Sequence, residues 1–306
     1  MSVLEQIKAL ENGNGIKYLL DSARRIFNNP VYMLDAYYNL IAASEGPDNV
    51  FLWSDLIRTG TLHVRVKEVM AKDGIFGIAS ALEKPVYLEK QENWSGGIMT
   101  MKIVNRNKNW VGQITMYDYF SPLLEDNLEA FGVLADKISN EIYDYEYFNK
   151  LPVVFFEDTI NKLLDKSVEN TLVHHSQAQL VRNELPKYLY VAVVKSDRKN
   201  FEENVFLNRL EYFKSLIKTK YPLYRYAVYK DTIVILAGSK EGDYKPALLF
   251  EKDYELFEHN SLYAGISSSF ENIYDFRYYY DQAAAVLKQG MEGQSGSRVF
   301  ISGLAE

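Results

Sequence analysis

The sequence contains no cysteine and little histidine. Its 306 residues include no Cys and four His, which excludes a disulfide framework, a thiolate zinc site and a cysteine nucleophile. His174 and His175 are adjacent, so a helix would place them about 100° apart and a strand would place them on opposite faces. His63 and His259 are isolated. We therefore expect neither a metal site nor a cofactor.

The chain also lacks a long apolar run and a basic stripe. No segment approaches the roughly 20 apolar residues that span a membrane. The N-terminus mixes Glu5 and Lys8 with apolar residues, unlike a secretion signal. Lys and Arg are scattered and the net charge is −7, which argues against nucleic-acid binding by these residues. We expect a cytoplasmic protein with no membrane partner.

Two glycine-rich stretches and one missing motif bear on catalysis. Residues 12–15 read as a turn, because no strand precedes them and no Lys and Ser/Thr follow. Residues 290–297 follow a predicted helix instead of a strand, which indicates a connector. A serine hydrolase is not indicated, since no G-x-S-x-G is present.

With 47% hydrophobic and 25% charged residues, the chain can bury cores and favours two domains. In the first half, the apolar spacing predicts two helices separated by a break in residues 4–27, and short helices in residues 51–72. Hairpin and strand patterns occur at residues 31–34 and 38–43, 85–89, 97–104 and 110–117. Helices on one face of an antiparallel sheet make an α+β domain over residues 1–120.

A helical pattern follows, with Ser121 as the predicted N-cap and Pro122 at the first helical position. Apolar residues then recur at alternating spacings of four and three: Leu124, Leu128, Phe131, Ala135, Ile138, Ile142 and Tyr145. This seam favours a helix-mediated homodimer, the alternative being a helix that packs on its own domain. Pro152 is expected to end or bend the helix. We assign residues 121–185 to connecting and dimerisation helices.

The second half alternates strands and helices. Strands are predicted at residues 188–194, 224–229, 232–237, 262–267 and 298–301, and helices at residues 201–218, 246–257 and 274–288. This order is that of the split βαβ plan of ferredoxin-like domains. It predicts a second α+β domain over residues 186–306.

Parts of both halves match patterns of a known family. Gly265-Ile266-Ser267, followed by Tyr280 and Ala283, resembles the "G-I-S … Y-x-x-A" stretch of the degenerate GGDEF-like domain in PucR and CdaR transcription regulators. Residues 29–35 and 40–44 are similar to the GAF- or PAS-like sensor that precedes it. The resemblance implies a bacterial regulator in which a small-molecule effector binds the first domain and the signal passes through the helices to a DNA-binding domain.

Family members continue into a C-terminal helix-turn-helix. The 17 residues after Gln289 contain no such pattern. We expect that the chain was cut before this domain instead of having lost it, and that DNA is contacted only through that domain.

The resemblance raises the alternative of a nucleotide cyclase. A working cyclase uses a hairpin with two glycines followed by acidic residues, and residues 227–232 have neither. Asp197 and Asp231 could share a magnesium ion, although Asp is also common in loops and turns. We expect no enzymatic activity.

A sensor needs a mostly apolar cavity with a few polar groups. The candidate ligand-binding residues are Trp53, His63, Arg65, Tyr87, Trp94 and Met101. The 24 tyrosines fit half-buried strand faces or a tyrosine-lined pocket. Purine breakdown products, sugar acids and amino acids remain open as effectors, and an interaction module that needs no ligand is the rival hypothesis.

Overall fold

A computed structural model of the chain defines the fold. It describes residues 1–72, 83–89, 96–165, 177–178, 181–182, 185–196, 213, 215, 224–239, 257–258, 261–293 and 298–302. The chain divides into two compact units: unit 1, Met1–Phe155, and unit 2, Phe156–Glu306. The predicted helices at residues 201–218 and 246–257 lie almost wholly outside the described residues. None of the described helices is long and apolar enough to cross a membrane.

Unit 1 is an α+β domain, as predicted. Its strands are β1 Val31–Asp35, β2 Leu40–Ala43, β3 Val86–Leu88, β4 Ile98–Val104 and β5 Trp110–Tyr117. They form one antiparallel sheet in the order β2-β1-β5-β4-β3. Its helices are α1 Val3–Lys8, α2 Ile16–Phe27, α3 Phe51–Thr59, α4 Val64–Lys72, α5 Asn127–Glu141 and the first part of α6 Glu146–Leu164.

Helices lie on both faces of this sheet. On one face α5 packs on β4, and α1 and α2 pack on α5. On the other face, α3 supplies Trp53 and Leu56 to a core that includes Tyr32 and Leu34 of β1. The sheet is thus buried on both sides, so any polar side chain in it is withdrawn from water and needs a partner.

Most residues of the alternating apolar pattern are buried within unit 1. Phe131, Ala135, Ile138 and Ile142 are buried, whereas Leu124 and Tyr145 are exposed. The spacing therefore reflects a helix that packs on its own domain, the alternative open in the sequence. The four buried side chains are not available to a second copy in this structure, so homodimerisation stays a prediction.

The predicted start of this helix was wrong. The helix begins at Asn127 with Asp126 as its N-cap. Ser121 is held elsewhere, because its hydroxyl accepts from Asn28 at 2.7 Å and its carbonyl from Asn29 at 2.7 Å. A serine occupied in this way cannot cap a helix.

Pro152 does not end a helix, the first of the two predicted alternatives. It lies inside α6. Proline leaves the carbonyl four residues before it without its helical donor, and that carbonyl, of Phe148, accepts from the Asn105 side-chain amide at 3.1 Å. The Asn105 amide replaces the lost hydrogen bond and so helps to maintain the helix.

Unit 2 contains the strands β6 Tyr188–Ser196, β7 Arg225–Tyr229, β8 Thr232–Ser239, β9 Leu262–Ile266 and β10 Val299–Ile301. They form a sheet in the order β10-β9-β6-β8-β7, in which only β10 and β9 are parallel among the described strands. Helix α7, Phe276–Glu292, packs on β6, β9 and β10. The β9-β6-β8-β7 arrangement confirms the predicted ferredoxin-like plan.

Candidate functional site

One face of the unit 1 sheet carries an unusual set of buried polar groups. Because side chains alternate along a strand, β5 and β4 place hydroxyl and amide groups on the same side as Tyr32 of β1. We call this the hydroxyl face, defined by Tyr32, Thr100, Lys102, Gln113, Thr115 and Tyr117. Tyr32, Thr100, Gln113 and Thr115 are each about 1% exposed. A purely structural sheet face would be expected to be apolar here.

The hydroxyl groups form a connected chain. The Thr100 Oγ1 donates to the Ile114 carbonyl at 3.0 Å and lies 3.2 Å from the Thr115 Oγ1. Tyr32 is hydrogen-bonded to both Thr115 and Tyr117. The hydroxyls are therefore connected in the order Thr100, Thr115, Tyr32 and Tyr117, with Tyr117 at one end.

Aromatic side chains cover this chain. The Trp53 ring lies 5.9 Å from the Tyr32 ring, and Tyr117 stacks on Tyr119 at 4.8 Å with a 2° interplanar angle. A narrow cavity is lined by Tyr32, Leu52, Trp53, Leu56, Leu62, His63, Val66 and Tyr117. The lining combines flat apolar surfaces with a few hydroxyl groups. The cavity volume of about 10 Å³ is roughly the room that one water needs, so a small molecule would enter only if the covering helices moved.

Gln113 has an unmet hydrogen-bond donor. Its side-chain Nε2 is buried and has no acceptor among the described residues. A buried donor without a partner costs about 1–3 kcal/mol. The protein therefore retains a destabilising polar group on the hydroxyl face, a pattern typical of functional sites.

The structure separates the six predicted ligand-binding residues. Trp53 and His63 line the cavity. Arg65 is exposed on α4, where its backbone N–H donates to the His63 Nδ1 at 3.2 Å. The Tyr87 hydroxyl donates to the Asp118 carboxylate at 3.2 Å.

The other two predicted residues do not join Trp53. Met101 follows Thr100 directly, so it lies on the opposite face of β4, the face on which α5 packs. Trp94 lies outside the described residues. The residues that sequence reasoning missed are Tyr32, Gln113, Thr115 and Tyr117. Their signal was the Gln-Ile-Thr-Met-Tyr alternation of β5.

A larger open cavity of about 650 Å³ also borders Trp53 and is lined in part by Lys17 and Arg58. Both cations are already paired, Lys17 with Asp21 at 2.5 Å and Arg58 with Asp55 at 2.5 Å. The cations of this cavity are therefore less available to a ligand than the unpaired Gln113 donor of the hydroxyl face.

In unit 2, the tip of the β7–β8 hairpin is formed by Lys230, which has a φ of 56°, and Asp231. The Asp231 carboxylate lies 2.8 Å from the Lys195 ammonium. Asp197, its proposed partner for magnesium, lies outside the described residues. Within the ranges that the structure describes, no group of three or more His, Asp or Glu side chains is placed to hold a metal ion.

The tyrosine chain gives a pH-dependent prediction. Burial raises the pKa of the Tyr32 hydroxyl from 10.0 to about 12. Below pH 10 the hydroxyl is protonated in both the folded and the unfolded chain, so its contribution to stability is constant. Between pH 10 and 12 the unfolded chain loses the proton first, and Tyr32 should cost about 2 kcal/mol of unfolding free energy over that range.

Urea unfolding at pH 9, 10 and 11 measures this effect. The Tyr32→Phe variant should lose less stability between pH 10 and 11 than the wild type, by about 1 kcal/mol. Tyr278→Phe is the matched control, because Tyr278 is 66% exposed, and it should follow the wild type. Equal slopes for Tyr32→Phe and Tyr278→Phe would show that Tyr32 is not protected from ionisation.

Comparisons with known proteins assign no family. No family model matches the sequence, and no curated protein matches it. A solved structure titled PelD 158-CT from Pseudomonas aeruginosa PAO1 is 12% identical, with 97% of this chain and 96% of that chain covered and a TM-score of 0.25. The same protein in complex with c-di-GMP is 11% identical, with 97% and 98% covered and a TM-score of 0.26. Scores this low assign neither a fold nor a ligand to this chain.

Proposed function

We propose that the chain is the effector-sensing input region of a bacterial transcription regulator of the PucR/CdaR type, acting in the cytoplasm, with its effector site on the hydroxyl face of unit 1. The observation that carries the proposal is the hydrogen-bonding surface formed by Tyr32, Gln113, Thr115 and Tyr117, of which Tyr32 packs against Trp53. Such a surface supplies orientation through polar groups and affinity through aromatic area.

A ligand bound there stabilises one conformation of unit 1, and the change reaches other domains through the chain's own helices. Helix α6 is anchored in unit 1 where the Tyr147 hydroxyl donates to the buried Asp35 carboxylate at 2.5 Å. The helix then continues without interruption to Leu164 in unit 2. A homodimer would present paired DNA-binding domains.

Unit 2 acts without catalysis in this proposal. Its β7–β8 hairpin has Lys230 and Asp231 where a cyclase would need glycines, and Asp231 is neutralised by Lys195. Production of a cyclic dinucleotide from GTP and magnesium would overturn this part of the proposal.

A thermal-shift screen tests the sensor function. Purine breakdown products, sugar acids and amino acids are added to the wild type, and at least one should raise the melting temperature by about 5–10 °C when present at 100 times its Kd. The Thr115→Val variant, which breaks the hydroxyl chain, should lose most of that shift. Thr232→Val makes the same substitution in a strand of unit 2 and should retain it.

Two results would contradict the proposal. A stabilising metabolite whose shift survives in Thr115→Val and disappears in Thr232→Val would place the site in unit 2. The absence of any shift across the screen would favour the rival hypothesis of an interaction module that needs no ligand.

A further inference from the structure

The turn between α1 and α2 contains two consecutive Asn-Gly pairs, Asn12-Gly13 and Asn14-Gly15. Asn12, Gly13 and Asn14 are exposed, and both glycines have a positive φ, 92° at Gly13 and 87° at Gly15. Because glycine has no side chain, its backbone nitrogen can approach the side-chain carbonyl carbon of the asparagine before it. Attack by that nitrogen closes a five-membered ring, so an exposed Asn-Gly pair is chemically reactive.

The two attacking nitrogens have the same hydrogen-bond partner. The Gly13 N–H donates to the Glu141 Oε2 at 2.6 Å, and the Gly15 N–H donates to the Glu141 Oε1 at 2.8 Å. Glu141 is the last residue of α5, so its carboxylate ties the turn to that helix. Each nitrogen must lose its proton to react, and in both pairs the acceptor already in place is this carboxylate. The two pairs therefore do not differ at the nucleophile.

The two asparagine side chains do differ. The Asn12 Nδ2 donates to the Lys137 carbonyl at 2.6 Å and to the Glu141 Oε2 at 3.4 Å. The Asn14 side chain makes no hydrogen bond within the part of the chain that the structure describes. Rotation of the Asn12 amide toward the Gly13 nitrogen would break its two bonds, whereas no bond opposes the same rotation of Asn14. The structure thus distinguishes two pairs that are identical in sequence.

We propose that Asn14 is a site of spontaneous deamidation in the folded protein. The Gly15 nitrogen loses its proton and forms a bond to the Asn14 Cγ, the Cγ–Nδ2 bond breaks, and the departing nitrogen takes up a proton and leaves as ammonia. Water then opens the ring. Addition of water at Cγ gives aspartate, and addition at the backbone carbonyl carbon gives isoaspartate. No oxidation state changes, and water is the co-reactant.

The isoaspartate product should release the turn from α5. It places one additional methylene in the backbone between residues 14 and 15, so the Gly13 and Gly15 N–H groups no longer match the two oxygens of Glu141. Hydrogen bonds to a carboxylate are among the strong ones. The Lys137 Nζ still donates to the Leu10 carbonyl at 2.6 Å and holds the end of α1. The modification therefore loosens the turn itself, independently of any effector.

Peptide mapping of the full chain by mass spectrometry tests the proposal. The protein is incubated at 37 °C and pH 8, and a second sample is kept in concentrated urea. In the folded sample Asn14 should deamidate roughly tenfold or more faster than Asn12, because two hydrogen bonds oppose the reaction at Asn12. In urea the two rates should be similar, since both side chains are then free. The rate at Asn14 should rise from pH 6 to pH 8, with the ammonia-loss ring species detected before the acids.

Asn14→Gln is the matched variant, because a glutamine side chain would have to close a less favourable six-membered ring. After the same incubation, amide exchange in residues 12–15 should be faster in the wild type and unchanged in Asn14→Gln. Equal rates at Asn12 and Asn14 in the folded chain, or deamidation of Asn14 in urea alone, would overturn the proposal. Exchange that becomes faster to the same extent in Asn14→Gln would show that the modification does not release the turn.

Discussion

Replacement of Phe131 by alanine is expected to lower the free energy of unfolding by about 3–5 kcal/mol. The Phe131 side chain is fully buried in unit 1 and its ring lies 6.4 Å from the Phe27 ring in an edge-to-face arrangement. Truncation removes that contact and leaves a cavity between α5 and α2. Urea unfolding followed by circular dichroism at two protein concentrations measures the loss.

Leu124→Ala is the matched control for this prediction. Leu124 belongs to the same alternating pattern but is 60% exposed, so its truncation should change stability by about 0.5 kcal/mol or less. A loss that is similar for the two variants and grows as the protein is diluted would show that both residues lie in a subunit interface, contrary to the structure.

Replacement of Gly265 by alanine should destabilise unit 2. A β-carbon at this position in β9 would overlap the Ala283 carbonyl of α7, a backbone atom that cannot rotate away. The helix and the sheet must then separate, and overpacking of this kind costs about 1–3 kcal/mol or more. A fall of several degrees in melting temperature is expected.

Gly293→Ala provides the comparison for Gly265→Ala. Gly293 caps the end of α7 with a φ of −75°, a conformation open to alanine, and its nearest neighbour would be 3.3 Å from an added β-carbon. Its effect should be within about 0.5 kcal/mol. If Gly265→Ala were equally harmless, the close approach of α7 to β9 would be wrong.

Much of the fold could be predicted because its signals are local. Strand alternation and turn residues predicted the ten strands found in the described part of the chain, and the Asn12–Gly15 break separated α1 from α2. The ends of helices were harder, since they depend on distant partners. Ser121 has the composition of an N-cap, but Asn28 and Asn29 hold it, and Pro152 stays helical because Asn105 supplies a hydrogen bond from another loop.

The alternating apolar pattern of residues 124–145 shows a second limit of prediction from the sequence. Alternating spacings of four and three are compatible with a partner helix or with the chain's own sheet, and the sequence alone does not say which surface covers Phe131 and Ile138. The structure supplies that surface, namely β4 together with α1 and α2. The choice depends on tertiary packing and not on helix periodicity.

The candidate site was only partly accessible from the sequence. Trp53 and His63 were candidates because aromatic and histidine side chains stand out, and both line the cavity. The hydroxyl chain was missed because Tyr32 and Thr115 are distant in sequence and become neighbours through the β1–β5 pairing. Met101 was misplaced relative to Trp53, since a shift of one residue along a strand moves a side chain to the other face.

Hydrogen exchange with a stabilising metabolite tests the central claim most directly. Amide exchange is measured by mass spectrometry on the full chain, with and without the metabolite that gives the largest thermal shift. Binding at the hydroxyl face predicts slower exchange in residues 51–68, the helices that cover the cavity, and no such protection in the Thr115→Val variant. Protection confined to peptides of unit 2 would contradict the claim that unit 1 is the sensor.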